Sequence, residues 1–261
     1  MNNLICPARQ GFAAQACIPR NRGKYGPGCC RNLKSTIFRH EHNAKAGNLQ
    51  NPGKITMQQK TALSGALVAL LLIIGAGLLW LPQKISVEAY RAGFAALDAY
   101  RTAHPEEKVR CLAVVDFSKP SYVKRMAVID LASGEKSFYR VAHGKNSGEL
   151  YATRFSNTLG SGMSSPGLYR VLEAYSGDHG TAVRLEGLEL AVNDNAFSRD
   201  IVLHSADYVS LGYIMLNLVT FNGPRIGRSN GCFVVSPNDI NEVTKKLSNG
   251  ALLYAWRGSS R

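Results

Sequence analysis

CLAVVDF at residues 111–117 and RMAVIDL at residues 125–131 decide the fold class of this chain. Both are short runs of β-branched and other apolar residues, a composition that favours strands, and they are bounded by turn-forming residues. Similar runs follow downstream: KSFYRVA (136–142), GLYRVLEAY (167–175), TAVRLEG (181–187), DIVLH (200–204) and ALLYAW (251–256). We therefore predict a mainly β domain.

A helix is predicted in front of these strands. Tyr90, Phe94 and Leu97 recur at helical spacing between residues 86 and 103, and Pro105 ends the pattern. The domain therefore opens with one amphipathic helix.

A second helix is predicted behind the strands. Ser236 has the position of a cap, Pro237 that of the first helical residue, and Asp239 completes a capping box. The apolar stripe of this helix consists of Ile240, Val243 and Leu247, with Gly250 after its end.

Residues 61–81, TALSGALVALLLIIGAGLLWL, carry no charge. As a helix they extend about 31 Å at 1.5 Å per residue, close to the roughly 30 Å hydrocarbon core of a bilayer. The basic residues lie on the N-terminal side, so the positive-inside rule leaves residues 1–60 in the cytoplasm and exports residues 82–261. We predict a single transmembrane helix that serves as an anchor. A signal cleaved near Val87–Ala89 is the alternative.

Residues 1–60 are predicted to form a disordered, basic tail, because they show no sustained apolar period. Their cysteines, Cys6, Cys17, Cys29 and Cys30, lack the spacing of a zinc site. Met57 is followed by three polar residues and the apolar run, which is how an exported protein normally starts. We therefore hypothesise that translation begins at Met57 and that residues 1–56 are an upstream misreading.

The net charge of +13 belongs mostly to the tail. Residues 1–60 carry ten Lys and Arg against one acid, whereas residues 82–261 carry 21 against 17. The exported part is therefore not predicted to bind nucleic acid. Neither a metal-ligand motif nor a phosphate-binding glycine loop occurs, so we predict that the domain needs no metal or nucleotide cofactor.

Cys232 is the candidate nucleophile, because it ends the turn GRSNGC (227–232). Gly231 permits a tight turn, and consecutive N–H groups in such a turn can bind an oxyanion. Cys111, the other cysteine of residues 82–261, opens an apolar strand, where a cysteine behaves as a small hydrophobic residue.

A cysteine nucleophile needs a base, since a thiol with a pKa of about 8.5 is little ionised at neutral pH. His204 ends a strand and can stand at the edge of a sheet. On composition alone, His143 and His179 are equal candidates for the base, and each of these two precedes a glycine.

Residues 86–256 resemble the murein L,D-transpeptidase (YkuD-like) catalytic family. The resemblance is carried, in order, by VDFSKPS (115–121), RMAVIDL (125–131), VAHGKNSGE (141–149), ATRFSN (152–157) and GRSNGC (227–232). It implies a β-sandwich-like catalytic domain over residues 82–261 that acts on peptidoglycan stem peptides. The implied reaction attacks the L-to-D bond of a tetrapeptide stem, forms a thioester and passes the acyl group to an amine of a second stem. The implied location is the cell envelope, at the periplasmic face of the inner membrane, or the periplasm if the segment is cleaved.

The resemblance also implies roles for individual residues. The family pattern of a histidine with a small residue, and later Ser-x-Gly-Cys, falls on His204-Ser205 and on residues 229–232. Cys232 is then the nucleophile, His204 its base, and the backbone carbonyl of Ser205 orients the imidazole. The oxyanion and substrate-binding set comprises Arg228, Ser229, Asn230 and Gly231, with N–H groups of residues 230–232 as oxyanion donors and Arg228 as partner of a substrate carboxylate. His143 becomes a loop or groove residue.

Two features depart from the family pattern. The arginine that many members carry two residues after the cysteine is Val234 here, so its role passes to Arg228 or Arg225. The segment between His204 and Cys232 includes LGYIMLNLV (211–219), which is predicted to form a lid or a membrane-facing loop.

Two alternatives to a transpeptidase stay open. In an L,D-carboxypeptidase, water accepts the acyl group at the same site. In a non-catalytic envelope protein, Cys111 and Cys232 form a disulfide, as two exported cysteines can.

Overall fold

The computed structural model describes residues 56–79, 85–177, 180–248 and 250–259. Residues 1–55 of the predicted disordered tail and the candidate His179 lie outside these residues, whereas residues 57–60, predicted as part of the tail, are helical. The described part contains four helices, α1 Met57–Leu79, α2 Val87–Ala103, α3 Leu211–Val219 and α4 Ile240–Leu247, and eight strands, β1 Cys111–Asp116, β2 Met126–Asp130, β3 Lys136–Tyr139, β4 Gly167–Gly177, β5 Gly180–Gly187, β6 Val202–Ser205, β7 Phe233–Val235 and β8 Ala251–Trp256.

The prediction of a mainly β domain is confirmed, but its sandwich-like part needs correction. All eight strands form one sheet in the order β3-β2-β1-β8-β4-β5-β6-β7. After β3, the N–H of Ala142 donates to the carbonyl of Val234 at 2.8 Å, so this segment pairs with β7 at the opposite edge. The single sheet therefore curls almost into a barrel. The resemblance implied a β-sandwich-like domain, whereas the described strands form a single sheet, because an apolar composition predicts strands but not how they pair.

Two apolar cores lie on the two faces of this sheet. Along β1, Cys111, Ala113 and Val115 face the first core. Leu112 and Val114 face the second core on the other side of the sheet. A strand that is buried on both faces reads as the continuous apolar run seen in the sequence. Burial of each large side chain in these cores contributes roughly 1.5–3 kcal/mol.

The predicted leading helix is confirmed as α2. The Ser86 side chain accepts a hydrogen bond from the N–H of Ala89 at 3.2 Å, as a helix cap does. A Cβ atom at Gly93 would lie only 2.8 Å from Cγ2 of Val114. The glycine therefore allows α2 to pack closely on β1, with Leu97 and Tyr100 buried in the second core.

The predicted trailing helix exists but starts later than expected. Ser236 and Asp239 form a turn, in which the N–H of Asp239 donates to the carbonyl of Ser236 at 3.0 Å, and α4 begins at Ile240. The carboxylate of Asp239 makes no capping hydrogen bond, so the predicted capping box is wrong. The predicted apolar stripe is correct: it packs into the first core.

Two further helices complete the described residues. The segment left open as a lid or loop is the helix α3, capped by the Ser210 side chain, which accepts from the N–H of Tyr213 at 3.2 Å. In α1, the stretch Met57–Ile74 has a mean hydropathy of 1.5 and is long and apolar enough to cross a membrane by length and composition.

Candidate active site

A cavity of about 680 Å³ opens at the end of the sheet that carries β6 and β7. The predicted site residues Cys232, His204, Arg228, Ser229 and Asn230 line it together. Its remaining lining residues are Tyr175, Gly177, Ala182, Arg199, Asp200, Val202 and Tyr208.

The pairing of β6 with β7 brings the thiol and the imidazole to the same side of the sheet. These strands are parallel neighbours, with Leu203 beside Phe233 and His204 beside Val234. Leu203 and Phe233 point into the first core. Because side chains alternate along a strand, His204 and the residue that precedes Phe233, Cys232, face the opposite side, where the cavity lies.

The backbone of the next residue orients the imidazole of His204. Nδ1 of His204 lies 3.0 Å from the carbonyl oxygen of Ser205. Because a carbonyl oxygen only accepts, Nδ1 carries the proton in this hydrogen bond. In the neutral imidazole, Nε2 is then the basic nitrogen.

The Cys232 thiol is half-buried and donates a hydrogen bond to the carbonyl of Asp200 at 3.4 Å. Burial raises the pKa of this thiol, and the Asp200 carboxylate raises it further. The N–H of Val202 and the guanidinium of Arg199 oppose this rise in pKa. The balance favours a neutral thiol in the resting site, which makes a neighbouring base necessary.

The turn before Cys232 is held by the Ser229 side chain. Its hydroxyl accepts from the N–H of Gly231 at 3.1 Å and donates to the carbonyl of Cys232 at 2.7 Å. Gly231 has a φ of 132°, and a Cβ atom there would lie 2.9 Å from the carbonyl oxygen of Met163. Glycine is therefore required at this position for both its conformation and its size.

The hydrogen bonds of Ser229 reduce the number of N–H groups that are available to bind an oxyanion. The N–H of Gly231 is engaged by Ser229. The N–H groups of Asn230 and Cys232 are the remaining candidates among residues 230–232.

The loop that carries His143 supports the turn before Cys232 through backbone hydrogen bonds. The N–H of Ser229 donates to the carbonyl of His143 at 3.0 Å, and the N–H of Lys145 donates to the carbonyl of Ser229 at 2.7 Å. The loop and the turn are therefore joined by backbone hydrogen bonds in both directions.

His143 itself is fully buried and is not among the residues that line the cavity. Nη2 of Arg125 donates to its Nδ1 at 2.7 Å, so its Nε2 donates to the carbonyl of Gly148 at 3.1 Å. Burial, and then the charge of Arg125, lower the pKa of His143 to about 3. A neutral, buried imidazole of this kind holds the loop together and is no candidate for the base.

Arg228 lines the cavity but already has a carboxylate partner. Its guanidinium pairs with Glu149 and donates to the carbonyl of Lys145 at 3.1 Å. Arg225 pairs with the same carboxylate of Glu149. Arg228 and Arg225, the two candidates for binding a substrate carboxylate, are thus both paired with the carboxylate of Glu149.

Arg199 is a site residue that sequence reasoning missed. Its Nη1 donates to the carbonyl of Ser156 at 2.8 Å and to the hydroxyl of Ser165 at 2.9 Å, and its Nη2 donates to the carbonyl of Met163. It thus ties the segment 156–165 to the wall of the cavity beside Cys232. No motif marked this arginine, because its partners lie more than thirty residues away in the chain.

The disulfide alternative is wrong for this structure. Cys111 and Cys232 are both free. Cys111 opens β1, in the middle of the sheet order, whereas Cys232 directly precedes β7 at one edge. Burial raises the pKa of the Cys111 thiol to about 11, which fits an inert core cysteine.

One group of metal-type ligands occurs in the described residues, away from the cavity. His104, Glu106 and Glu107 offer ligand atoms within 4.8 Å of one another after the end of α2. Glu107, however, already accepts hydrogen bonds from Tyr100 and Arg170. The absence of a metal cofactor stays a prediction.

Solved structures to which this chain is similar include the following three. The structure of Bdellovibrio bacteriovorus Bd1075 is 16% identical, with a TM-score of 0.34, and the match covers 58% of this chain and 49% of that one. The L,D-transpeptidase from Mycobacterium smegmatis is 15% identical, with a TM-score of 0.32 and coverage of 56% and 58%. The L,D-transpeptidase from Xylanimonas cellulosilytica is 14% identical, with a TM-score of 0.30 and coverage of 62% and 68%. The chain thus spans less than two thirds of the first two proteins.

No curated protein matches the chain. A family model described as the L,D-transpeptidase catalytic domain, YkuD_2, matches residues 81–256, which is most of the chain and nearly all of the domain described above. The chain therefore belongs to the L,D-transpeptidase catalytic domain family.

Proposed function

We propose that this protein is a cysteine acyltransferase, an L,D-transpeptidase that acts on the tetrapeptide stems of peptidoglycan. Membership of the family supports an enzyme of peptidoglycan modification. One observation supports the finer proposal most directly: Cys232 and His204 line the same cavity, and the Ser205 carbonyl lies in hydrogen-bonding contact with Nδ1 of His204.

The proposed reaction starts from the neutral thiol. Nε2 of His204 takes the proton of Cys232 as Sγ attacks the carbonyl carbon of the L-to-D peptide bond. The negative charge that develops on the carbonyl oxygen is stabilised by the N–H groups of Asn230 and Cys232.

The tetrahedral intermediate then collapses. The imidazolium of His204 returns its proton to the departing amine, so terminal D-Ala leaves and a thioester at Cys232 remains. An amine of a second stem attacks the thioester, His204 takes its proton, and the thiol is restored as the new peptide bond forms. Throughout, the Ser205 carbonyl keeps Nδ1 protonated and Nε2 directed at the reacting atoms.

Substrate binding is proposed to use Arg228. A guanidinium matches a carboxylate geometrically, and Arg228 is part of the cavity wall. Because Glu149 now pairs with both Arg228 and Arg225, a stem carboxylate has to compete with an internal one. Arg225 is the second candidate for the same role.

The envelope location is part of the proposal. Residues 61–81 anchor the chain in the inner membrane, and residues 82–261 work on its periplasmic face. Charge supports this orientation, because the excess of Lys and Arg lies before the apolar segment.

If translation begins at Met57, the natural protein contains no peptide with Cys6 or Cys17, and detection of either peptide by mass spectrometry contradicts that start.

The reaction is tested with the purified chain and muropeptides that carry tetrapeptide stems. We expect cross-linked dimers together with free D-Ala, detected by mass spectrometry. Trimmed monomers alone favour the L,D-carboxypeptidase alternative, in which water accepts the acyl group.

The Cys232→Ala variant is the control for this reaction. It is expected to yield neither product while its melting temperature stays close to that of the parent chain. A carbapenem should also add covalently to the parent chain at Cys232, as the family resemblance implies. Turnover by the alanine variant would refute the proposed nucleophile.

A further inference from the structure

Helix α3 carries a row of exposed apolar side chains beside the active site. Ile214 and Asn217 are buried, whereas the rest of the helix and the turn that follows expose Leu211, Tyr213, Leu216, Val219 and Phe221. Singly exposed apolar residues are ordinary, but five of them within residues 211–221 make this segment a candidate surface for docking.

Phe221 makes this surface more costly to leave in water. Its ring is 97% exposed, and its φ of 59° lies in the left-handed region, which bulky residues avoid. Two hydrogen bonds hold the turn in place, from the N–H of Phe221 to Leu218 at 3.2 Å and from the N–H of Asn222 to Asn217 at 2.8 Å. A strained turn that presents an aromatic ring to solvent indicates a partner that covers the ring.

The helix that contacts α3 indicates which partner this is. α1 approaches α3 directly. None of the residues Met57–Ile74 of α1 is buried in the protein. Since α1 ends at Leu79 and α2 begins at Val87, the C-terminal end of α1 is the end next to the domain. In the proposed orientation, that end lies at the exported surface of the bilayer, and the contact with α1 places α3 beside the membrane.

We propose that α3 and Phe221 dock onto the periplasmic surface of the bilayer, next to the anchor helix. This inference rests on the anchor that forms part of the proposed function. An amphipathic helix binds such an interface by burying its apolar face at the boundary between headgroups and acyl chains. α3 contains neither lysine nor arginine, so its insertion is apolar and does not require anionic lipid.

Docking would also fix the height of the active site above the membrane. The inner side of α3 packs through Ile214 against Val209, Ile226 and Val234, and Cys232 borders the same cluster. The wall of the cavity is therefore attached rigidly to the docked helix. The accessible donor stems are those that lie at this height.

The test uses the full chain in phosphatidylcholine vesicles and tryptophan quenching by brominated acyl chains. Phe221→Trp and Leu190→Trp are each introduced with Trp80→Phe, which removes the tryptophan of the predicted anchor segment. Leu190 is the matched control, because it is 85% exposed but belongs to the connection between β5 and β6. We expect severalfold stronger quenching for Phe221→Trp than for Leu190→Trp, after subtraction of the Trp80→Phe parent.

Equal quenching of the two variants overturns the docking inference, as does quenching that appears only when anionic lipid is added. Flotation of the same chain with the vesicles tests the anchor separately. A chain that does not float refutes both the anchor and the docking. A chain that floats without differential quenching refutes the docking alone and leaves the anchor in place.

Discussion

At the scale of single residues, the environment of the Cys232 thiol opposes its ionisation on balance. Burial and then the Asp200 carboxylate raise its pKa, and the N–H of Val202 and the guanidinium of Arg199 counteract them only in part. The thiol is therefore expected to be protonated in the resting site. In the proposed reaction, the imidazole of His204 removes that proton at the moment of attack.

This setting predicts the pH dependence of alkylation at Cys232. A raised pKa means that the thiolate fraction, and with it the rate of reaction with iodoacetamide, rises only at a pH above that of an ordinary cysteine. The rate of alkylation should be followed by mass spectrometry from about pH 6 to about pH 10, since thiols titrate in this range. A short cysteine peptide serves as the reference. A midpoint below that of the peptide would indicate a preformed thiolate and contradict this description of the site.

Arg199 is expected to act as a positioning residue. In Arg199→Met, the segment 156–165 loses its hydrogen bonds and the thiol loses a nearby cation, so we expect kcat to fall by more than about tenfold and the alkylation midpoint to move to higher pH. Arg184→Met is the matched control, since Arg184 contacts the rings of Tyr175 and Phe197 rather than that segment. A loss of kcat without a shift of the midpoint would reduce Arg199 to a purely structural role.

The sequence predicted some of these residues and missed others for a definite reason. Cys232, His204 and the turn before the cysteine stand in a local motif, whose spacing is readable in one dimension. Arg199 and Asp200 reach the site only because the segment before β6 folds against Cys232 and against residues 156–165. Contacts of that kind leave no local pattern.

At the scale of elements, the turn before Cys232 depends on a glycine for two separable reasons. Gly231 has a positive φ, and it has no room for a Cβ atom beside Met163 and Ile201. Gly160 also has a positive φ, but nothing lies within 4 Å of the place of its Cβ atom.

This difference predicts unequal effects of two alanine substitutions. Gly160→Ala should lower the free energy of unfolding by on the order of 1 kcal/mol, because alanine disfavours a positive φ, and turnover should be retained. Gly231→Ala should lose more stability and nearly all turnover, because the turn that presents Cys232 has to shift. Urea unfolding and the muropeptide assay measure both quantities, and similar behaviour of the two variants would exclude a steric role for Gly231.

The strands and the leading helix were predictable from composition and spacing, whereas other elements were not. α4 was placed from its apolar stripe, but its start was not, since Asp239 stands in a turn without making the capping hydrogen bond. α3 is a nine-residue apolar segment with a polar cap, and a single sequence cannot distinguish such a helix from a loop.

At the scale of the whole molecule, the buried pair of Arg125 and His143 should make the domain sensitive to acid. The folded state holds His143 neutral down to a pKa of about 3, whereas the unfolded chain protonates it near pH 6.5. Between these values the unfolded state binds more protons. The contribution to stability is therefore fully present above pH 6.5 and is lost as the pH falls towards 3.

His143→Gln tests this dependence. The parent domain should lose about 2 kcal/mol of unfolding free energy between pH 7 and pH 5 through this group alone. The glutamine variant is expected to be less stable at pH 7 but to lose less stability on acidification, since it has no imidazole to protonate. Parallel pH profiles of the two proteins in urea unfolding would show that His143 is not the responsible group.

The overall architecture was predictable only as a class. Apolar runs specify that the domain is mainly β. The single, almost closed sheet follows from pairings such as that of Ala142 with Val234, which join residues far apart in sequence. The roles of the tail and of residues 61–81 remain predictions of the sequence.

The parallel pairing of β6 with β7 has a consequence for how this protein can diversify. His204 lies in the backbone ladder between β6 and β7, and Cys232 directly precedes β7, whereas α3 lies outside that ladder. Evolution or a protein engineer can therefore exchange α3 for a segment with a different surface affinity while the strands that carry the two side chains keep their pairing. Grafting experiments on this protein should begin with α3 and leave residues 227–232 in place.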